Sequence, residues 1–183
     1  TSEKLFERIE KELISPKEKM ELLKHYVYSV IIQHEDMHTK NLSLIYDKDL
    51  VFFAPLYDVS CTGIYDTSKG YDSHLTINGK QSNIRPNDFK PLCKILKIDF
   101  KEFKEEAFKI AKLYETELPS YIEEIKALGS ISFYKKKQKA RIGEGAYLKV
   151  SKIPIEFHEL LSKFHKERVE HLKALGWIIN ESL

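Results

Sequence analysis

Cysteine is scarce in this chain: Cys61 and Cys93 are the only two among 183 residues, so no disulfide framework is implied. At this length roughly 70% of the unfolded surface can be buried, and the core needs neither disulfides nor a structural metal. Charge of one sign is also lacking. Thirty basic and 28 acidic residues leave a net +2, too balanced for a generic binder of polyanions. No apolar run approaches the roughly 18 residues that span a bilayer, so no membrane segment is expected. The start, Thr1-Ser2-Glu3-Lys4, is not a signal peptide and carries no initiator Met, which reads as an excised domain. Few cysteines and abundant Lys and Glu favour a reducing, cytoplasmic setting. Core material is ample: 10 Phe and 10 Tyr within a 42% hydrophobic composition make disorder an unsuitable description.

The first quarter reads as helix. Leu5, Phe6, Ile9 and Leu13 mark one short amphipathic helix. Ser15-Pro16-Lys17-Glu18 reads as a second start, with Ser15 as cap, Pro16 at the first helical position and Glu18 closing a capping box. The helix that follows becomes apolar nearly all round at Val30-Ile31-Ile32, so its end is expected to be deeply buried. Leu42–Tyr46 and Leu50–Ala54 flank the turn-like Asp47-Lys48-Asp49, and Ser73–Ile77 and Gln81–Ile84 flank Asn78-Gly79; both read as hairpins. Helices resume after Pro86, after Asp99 and after Ser120, the last of these ending at Gly129. Residues 135–141 read as a basic connector, and a final helix is expected from Pro154 to Gly176. The expected fold is therefore mainly α with two short β-hairpins, divided into residues 1–130 and a connector plus packed helix over 131–183.

Chemistry concentrates in Gln33-His34-Glu35-Asp36-Met37-His38-Thr39-Lys40-Asn41, a polar run directly after the most apolar helix end. Two patterns overlap there. His34-Glu35-x-x-His38 matches a zinc-hydrolase spacing, which needs both histidines on one helix face and Glu35 as general base. Asp36 and Lys40 crowd that site with charge, and no third ligand is obvious; His74 lies nearest. The second pattern, His34-x-Asp36 with Asn41 downstream, has the spacing of a kinase catalytic loop. Phosphoryl transfer needs a carboxylate for the attacking hydroxyl, and a neutral oxygen plus a second carboxylate for Mg²⁺. Asp36 and Asn41 supply the first two. Asp58, just past the first hairpin, supplies the third. Taken singly, each of the three also suits a turn or cap, and His34 suits a buried structural histidine.

Together these residues resemble the C-terminal domain of HipA-like serine/threonine kinases, the toxin members of bacterial toxin–antitoxin pairs. The family pattern is an apolar run, Asp-x-His-x-Lys-Asn, a hairpin, and Ala-Pro-x-Tyr-Asp. Here it is met by Asp36-Met37-His38-Thr39-Lys40-Asn41 and Ala54-Pro55-Leu56-Tyr57-Asp58. Leu75-Thr76-Ile77-Asn78-Gly79-Lys80 adds a third ordered motif, and the likeness covers about residues 16–128. It implies the helical C-terminal lobe of a kinase-like fold, with Asp36 as catalytic base and Asn41 and Asp58 as Mg²⁺ ligands. His38, Lys40, Asn41, Tyr57 and Asp58 are implied to contact the nucleotide or shape its site. The implied partners are ATP, a protein substrate such as an aminoacyl-tRNA synthetase or translation factor, and a helix-turn-helix antitoxin, with DNA reached only through the antitoxin. Growth arrest and persistence would follow. The family has Gly-Asn where this chain has Gln33-His34, which bears on the loop backbone. No phosphate-covering lobe precedes Asp36, so the chain alone is expected to be inactive. An antitoxin-binding module without catalysis and the zinc hydrolase are the alternatives.

Overall fold

The computed structural model describes residues 1–13, 15–65, 68–129, 131–142 and 145–179, with side chains for all of these outside 131–155. Its helices are α1 (Ser2–Glu10), α2 (Pro16–Ile31), α3 (Lys90–Leu96), α4 (Phe100–Lys126) and α5 (Phe157–Leu175). Two antiparallel hairpins accompany them: β1 (Leu44–Asp47) with β2 (Leu50–Phe53), and β3 (Ile131–Ile142) with β4 (Gly145–Ile155). The mainly helical architecture and the first hairpin match the expectation; β3–β4 is not the second hairpin expected, which lay at 73–84. No helix among the described residues is long and apolar enough to cross a membrane.

Helix α2 is the axis of the molecule. Leu22, Leu23, Tyr26, Val27, Val30 and Ile31 are all fully buried, as its all-round apolar end requires. It packs on α4, and α1 packs on α3. The C-terminal segment joins this core: Val169, Leu172, Leu175 and Trp177 belong to the same buried cluster as Phe6, Val30 and Phe103. The Trp177 indole N–H donates to the Ile84 carbonyl at 2.7 Å, and its ring stands edge-on to Phe89, with centroids 5.7 Å apart. An aromatic anchor of this kind satisfies its one polar atom while burying its rings.

Several local expectations change. Pro16 does open α2, but Ser15 makes no side-chain cap, and Glu18 closes no box; its carboxylate accepts the Phe53 amide at 2.8 Å and so docks β2 against α2. The Asn78-Gly79 turn has both residues at positive φ, 50° and 75°, as a tight hairpin turn needs. Yet only the bridge Ile77–Lys80 forms as a ladder. The neighbouring backbone groups are taken elsewhere: the Thr76 carbonyl accepts the Ser2 amide, and the Asn78 amide goes to Glu3. Asp88 then pins the turn by accepting from Asn78 Nδ2 and Lys80 Nζ. Helix α4 runs unbroken through Pro119, where a new start at Ser120 was expected. Pro119 is exposed, so water can serve the carbonyl that lost its partner, and the hydroxyls of Thr116 and Ser120 donate to the Lys112 and Glu117 carbonyls nearby. The basic run 135–141 lies in β3, where a connector was expected, and Pro154 lies in β4, leaving α5 to begin at Phe157. The β-prone residues flanking the run outweigh its charge.

His25, in the middle of α2, is 3% exposed, and neither imidazole nitrogen has a hydrogen-bond partner among the described residues. Burial, helped by the charge of His34, depresses its pKa to about 4. The unfolded chain takes up that proton near pH 6.5, so stability is fully present above this value and falls as pH drops toward 4. His25→Leu should therefore be neutral or stabilising by about 1 kcal/mol at pH 7, and should flatten the loss between pH 6.5 and 4. Urea unfolding at pH 7 and pH 5 measures both; a large loss at pH 7 would show that the imidazole has a structural partner after all.

Candidate functional site

The site begins where α2 ends. Gln33 adopts a left-handed conformation, φ 57°. Its amide bonds the Val30 carbonyl, and the His34 amide reaches the Ser29 carbonyl. That crossed pair is a Schellman closure, and Gln33 fills the position where glycine is usual. Behind it, the Thr62 hydroxyl donates to the Gln33 carbonyl at 2.9 Å and accepts the Glu35 amide at 2.7 Å. The Gly63 amide also bonds the Gln33 carbonyl. A Cβ at Gly63 would lie 2.5 Å from Gln33 Oε1 and 2.8 Å from the Phe164 ring, so a larger residue there would have to displace both side chains.

Because α2 stops at Ile31, His34-Glu35-Asp36-Met37-His38 lies on turns, and the two histidines do not share a helix face. Glu35 is also fully engaged. Its carboxylate accepts from the Ser68 hydroxyl and from the amides of Lys69, Gly70 and Tyr71, at 2.9, 2.6 and 2.9 Å. Burial works against ionisation, but these donors together hold the carboxyl below its ordinary pKa. A carboxylate wrapped by four donors is an anchor for residues 68–71 and no free base. Among the described residues no group of three or more His, Cys, Asp or Glu could hold a metal. The zinc-hydrolase reading is thereby corrected.

The kinase-like residues meet differently. Asn41 is buried, 2% exposed, in a short 3₁₀ turn, Thr39–Asn41. Its Oδ1 accepts the His38 amide at 2.9 Å, and its Nδ2 donates to Asp58 Oδ2 at 2.7 Å. Asp58 is exposed and also left-handed, φ 53°, which turns its carboxylate toward Asn41 across seventeen residues of sequence. Tyr57 ties the same two segments: its hydroxyl donates to the Lys40 carbonyl at 2.8 Å and lies 2.8 Å from Ser43 Oγ. It shapes the loop. Lys40 is exposed and has no ion pair among the described residues. His38 sets its ring edge-on to His74, centroids 6.0 Å apart.

Asp36 is exposed, with no hydrogen bond to its carboxylate among the described residues. It opens on a cleft of about 500 Å³ lined also by Glu35, Tyr65, Lys69, Tyr71 and His74. Asn41 and Asp58 are not part of that lining. His34, 1% exposed, lies within electrostatic reach of two of these residues, Asp36 and Asp58. Burial lowers its pKa, while the carboxylates of Asp36 and Asp58 both push the other way.

The donor set suits a hard cation that keeps substrate and water ligands. Asn41 Oδ1 retains a lone pair and Asp58 an unengaged oxygen, which is what Mg²⁺ usually takes from protein beside a phosphate. Three contributors escaped the motif reading: Thr62, Asp72 and Arg168. Arg168 left a trace, since it falls on the stripe Leu161, His165, Arg168, Leu172, Leu175 that buries α5. Thr62 left none.

A family model described as the HipA-like C-terminal domain matches residues 1–130. No curated protein matches the chain. Among solved structures, a chain in the complex of the Shewanella oneidensis MR-1 toxin–antitoxin proteins HipA and HipB with operator DNA superposes with a TM-score of 0.64 at 12% identity. The match covers 96% of this chain but 36% of that one.

The anchor role of Glu35 has a measurable consequence. Glu35→Gln should destabilise the protein by about 1–3 kcal/mol and speed hydrogen exchange at Lys69, Gly70 and Tyr71. Since the folded pKa is depressed, the stabilisation is present above pH 4.5 and is lost as pH falls through the folded value, so the variant's deficit should shrink in acid. Unchanged exchange at these three amides would refute the anchor.

Proposed function

Since the chain belongs to the family of HipA-like C-terminal domains, we propose that it is the helical lobe of an ATP-dependent serine/threonine kinase, the toxin of a toxin–antitoxin pair. The observation that carries the proposal is the 2.7 Å contact between Asn41 and Asp58, five and twenty-two residues after an exposed Asp36 whose carboxylate has no hydrogen bond among the described residues. In this reading Asp36 orients an acceptor hydroxyl in the cleft and takes its proton as the oxygen attacks the γ-phosphorus. The bond to the β–γ bridging oxygen breaks and ADP leaves. Asn41 and Asp58 would hold Mg²⁺, which when bound neutralises charge on the phosphates. Lys40, exposed on the same loop, adds a cation within reach of them. His38 holds its backbone amide on Asn41 and so fixes the amide's orientation. Tyr57 keeps the loop of Lys40 closed on the segment before Asp58.

A nucleotide base also needs an apolar surface. The outward face of the β1–β2 hairpin presents Ile45, Leu50 and Phe52, 47, 59 and 37% exposed, just before Asp58. The complementary half of the cleft belongs to sequence beyond this chain, which spans about a third of the similar HipA–HipB complex chain. Activity is therefore assigned to the complete gene product. By the same analogy the partners are a helix-turn-helix antitoxin, operator DNA through that antitoxin, and a translation-related protein substrate.

The test is transfer of the radiolabelled γ-phosphoryl group by the complete gene product with Mg²⁺. Asp36→Ala should lower the rate by about 10²–10⁴-fold. Asp58→Ala should abolish transfer, and Asn41→Ala should raise the Mg²⁺ concentration needed for it. Undiminished transfer in both aspartate variants would end the assignment.

A further inference from the structure

Arg168 is 5% exposed on the packed face of α5. A guanidinium costs several kcal/mol to bury unless its donors are met, and here they are met at one place. Its Nε donates to the Ile31 carbonyl at 3.0 Å and an Nη to the Val30 carbonyl. The same Nη is 2.8 Å from Asp72 Oδ1 in an ion pair whose side chains are 4% and 2% exposed. Val30 and Ile31 carry last-turn carbonyls of α2, at the negative end of the helix and immediately before left-handed Gln33. Asp72 in turn accepts the Ile84 amide on Oδ2 at 3.1 Å and follows the segment 68–71 that Glu35 grips. The chain from Val30 through Glu35 to residues 68–72 and back through Arg168 is thus a closed ring of hydrogen bonds, and Asp36 is the next residue outside it.

We propose that Arg168 is a positioning residue: α5 latches the turn Gln33–Asn41 and so sets where the Asp36 carboxylate stands. The inference rests on the kinase reading for its catalytic consequence. It assigns a role to a helix that lies beyond the residues 1–130 matched by the family model. Arginine is needed because a planar fork serves two carbonyls and a carboxylate together, whereas a lysine ammonium is a single point of charge. A purely structural arginine would lower stability without favouring one region. A latch loosens the turn first.

The experiment uses the complete gene product carrying Arg168→Lys, with the double variant Arg168→Gln/Asp72→Asn, which leaves no orphan charge, as a second folded form. Amide exchange is followed at Gln33–Asn41 and, for reference, at Phe103–Ala111 in α4. Exchange at the turn should quicken at least about tenfold with α4 changed by less than about twofold, and kcat should fall about 10- to 100-fold at unaltered KM for ATP, as a misplaced catalytic group predicts. Equal loosening of turn and α4 would overturn the latch, and so would a kcat that drops only in proportion to the unfolded fraction. Failure of the kinase reading looks different: no transfer by the unaltered protein, or undiminished transfer by Asp36→Ala. The exchange comparison still decides the latch in that case.

Discussion

Helix α2 would continue through Ile32 and the polar run on propensity alone; what stops it is the left-handed Gln33 and the set of groups waiting for the freed carbonyls. Two amides close the end from within, at Val30 and Ser29. Thr62 and Gly63 take the Gln33 carbonyl from one side, and Arg168 takes Val30 and Ile31 from the other. Each charge-assisted bond contributes about 1.5–3 kcal/mol, against the strain of a non-glycine residue at positive φ and the desolvation of a buried ion pair. The net stabilisation is modest. What these bonds secure is geometry: the chain can leave α2 in one direction only, and every side chain of the candidate site lies on the nine residues that follow or on the segments bonded to them.

Much of this was legible in the sequence. The apolar end of α2, the first hairpin, the Asn78-Gly79 turn and the Asp99 cap rest on local periodicity and turn chemistry, and local rules place them. The pairing of Asn41 with Asp58 was legible because the two segments are joined by a short hairpin of readable length. Other elements depend on partners far along the chain. Glu18 looked like a capping residue, yet a strand amide thirty-five positions away competes for it. Glu35 looked like a base because its anchoring donors, three of them backbone amides, carry no sequence signature. Arg168 acts across more than a hundred residues. The hairpin of β3 and β4 was hidden by the lysines of its first strand, which read as solvated connector.

A division of labour among the acidic residues separates scaffold from site more sharply than any motif. Asp72 and Asp88 are buried and meet their acceptor capacity with amides and cations, and Glu35 is half-buried with four donors. Such carboxylates hold segments together and have no valence left for chemistry. Asp36 and Asp58 differ. Both are exposed, and Asp58 gives one oxygen to Asn41 and keeps the other. Folding supplies few partners to these two, although the same protein satisfies its other carboxylates nearby.

The same asymmetry holds for apolar surface. The inner faces of β1 and β2 turn Leu44, Val51 and Phe53 against the core, while Ile45, Leu50 and Phe52 face outward on the hairpin that precedes Asp58 in sequence. An isolated two-stranded hairpin is marginal in water, and an apolar outer face makes it more so, so its position depends on Glu18 and on the inner contacts. The structure thus leaves exposed carboxylate oxygens on Asp36 and Asp58, a Lys40 with no ion pair among the described residues, and an uncovered apolar hairpin face. Buried groups such as His25 and Tyr26 also lack hydrogen-bond partners among the described residues, but they are closed off from solvent; the spare capacity of Asp36, Asp58 and Lys40 is exposed, and only exposed capacity can serve a charged ligand.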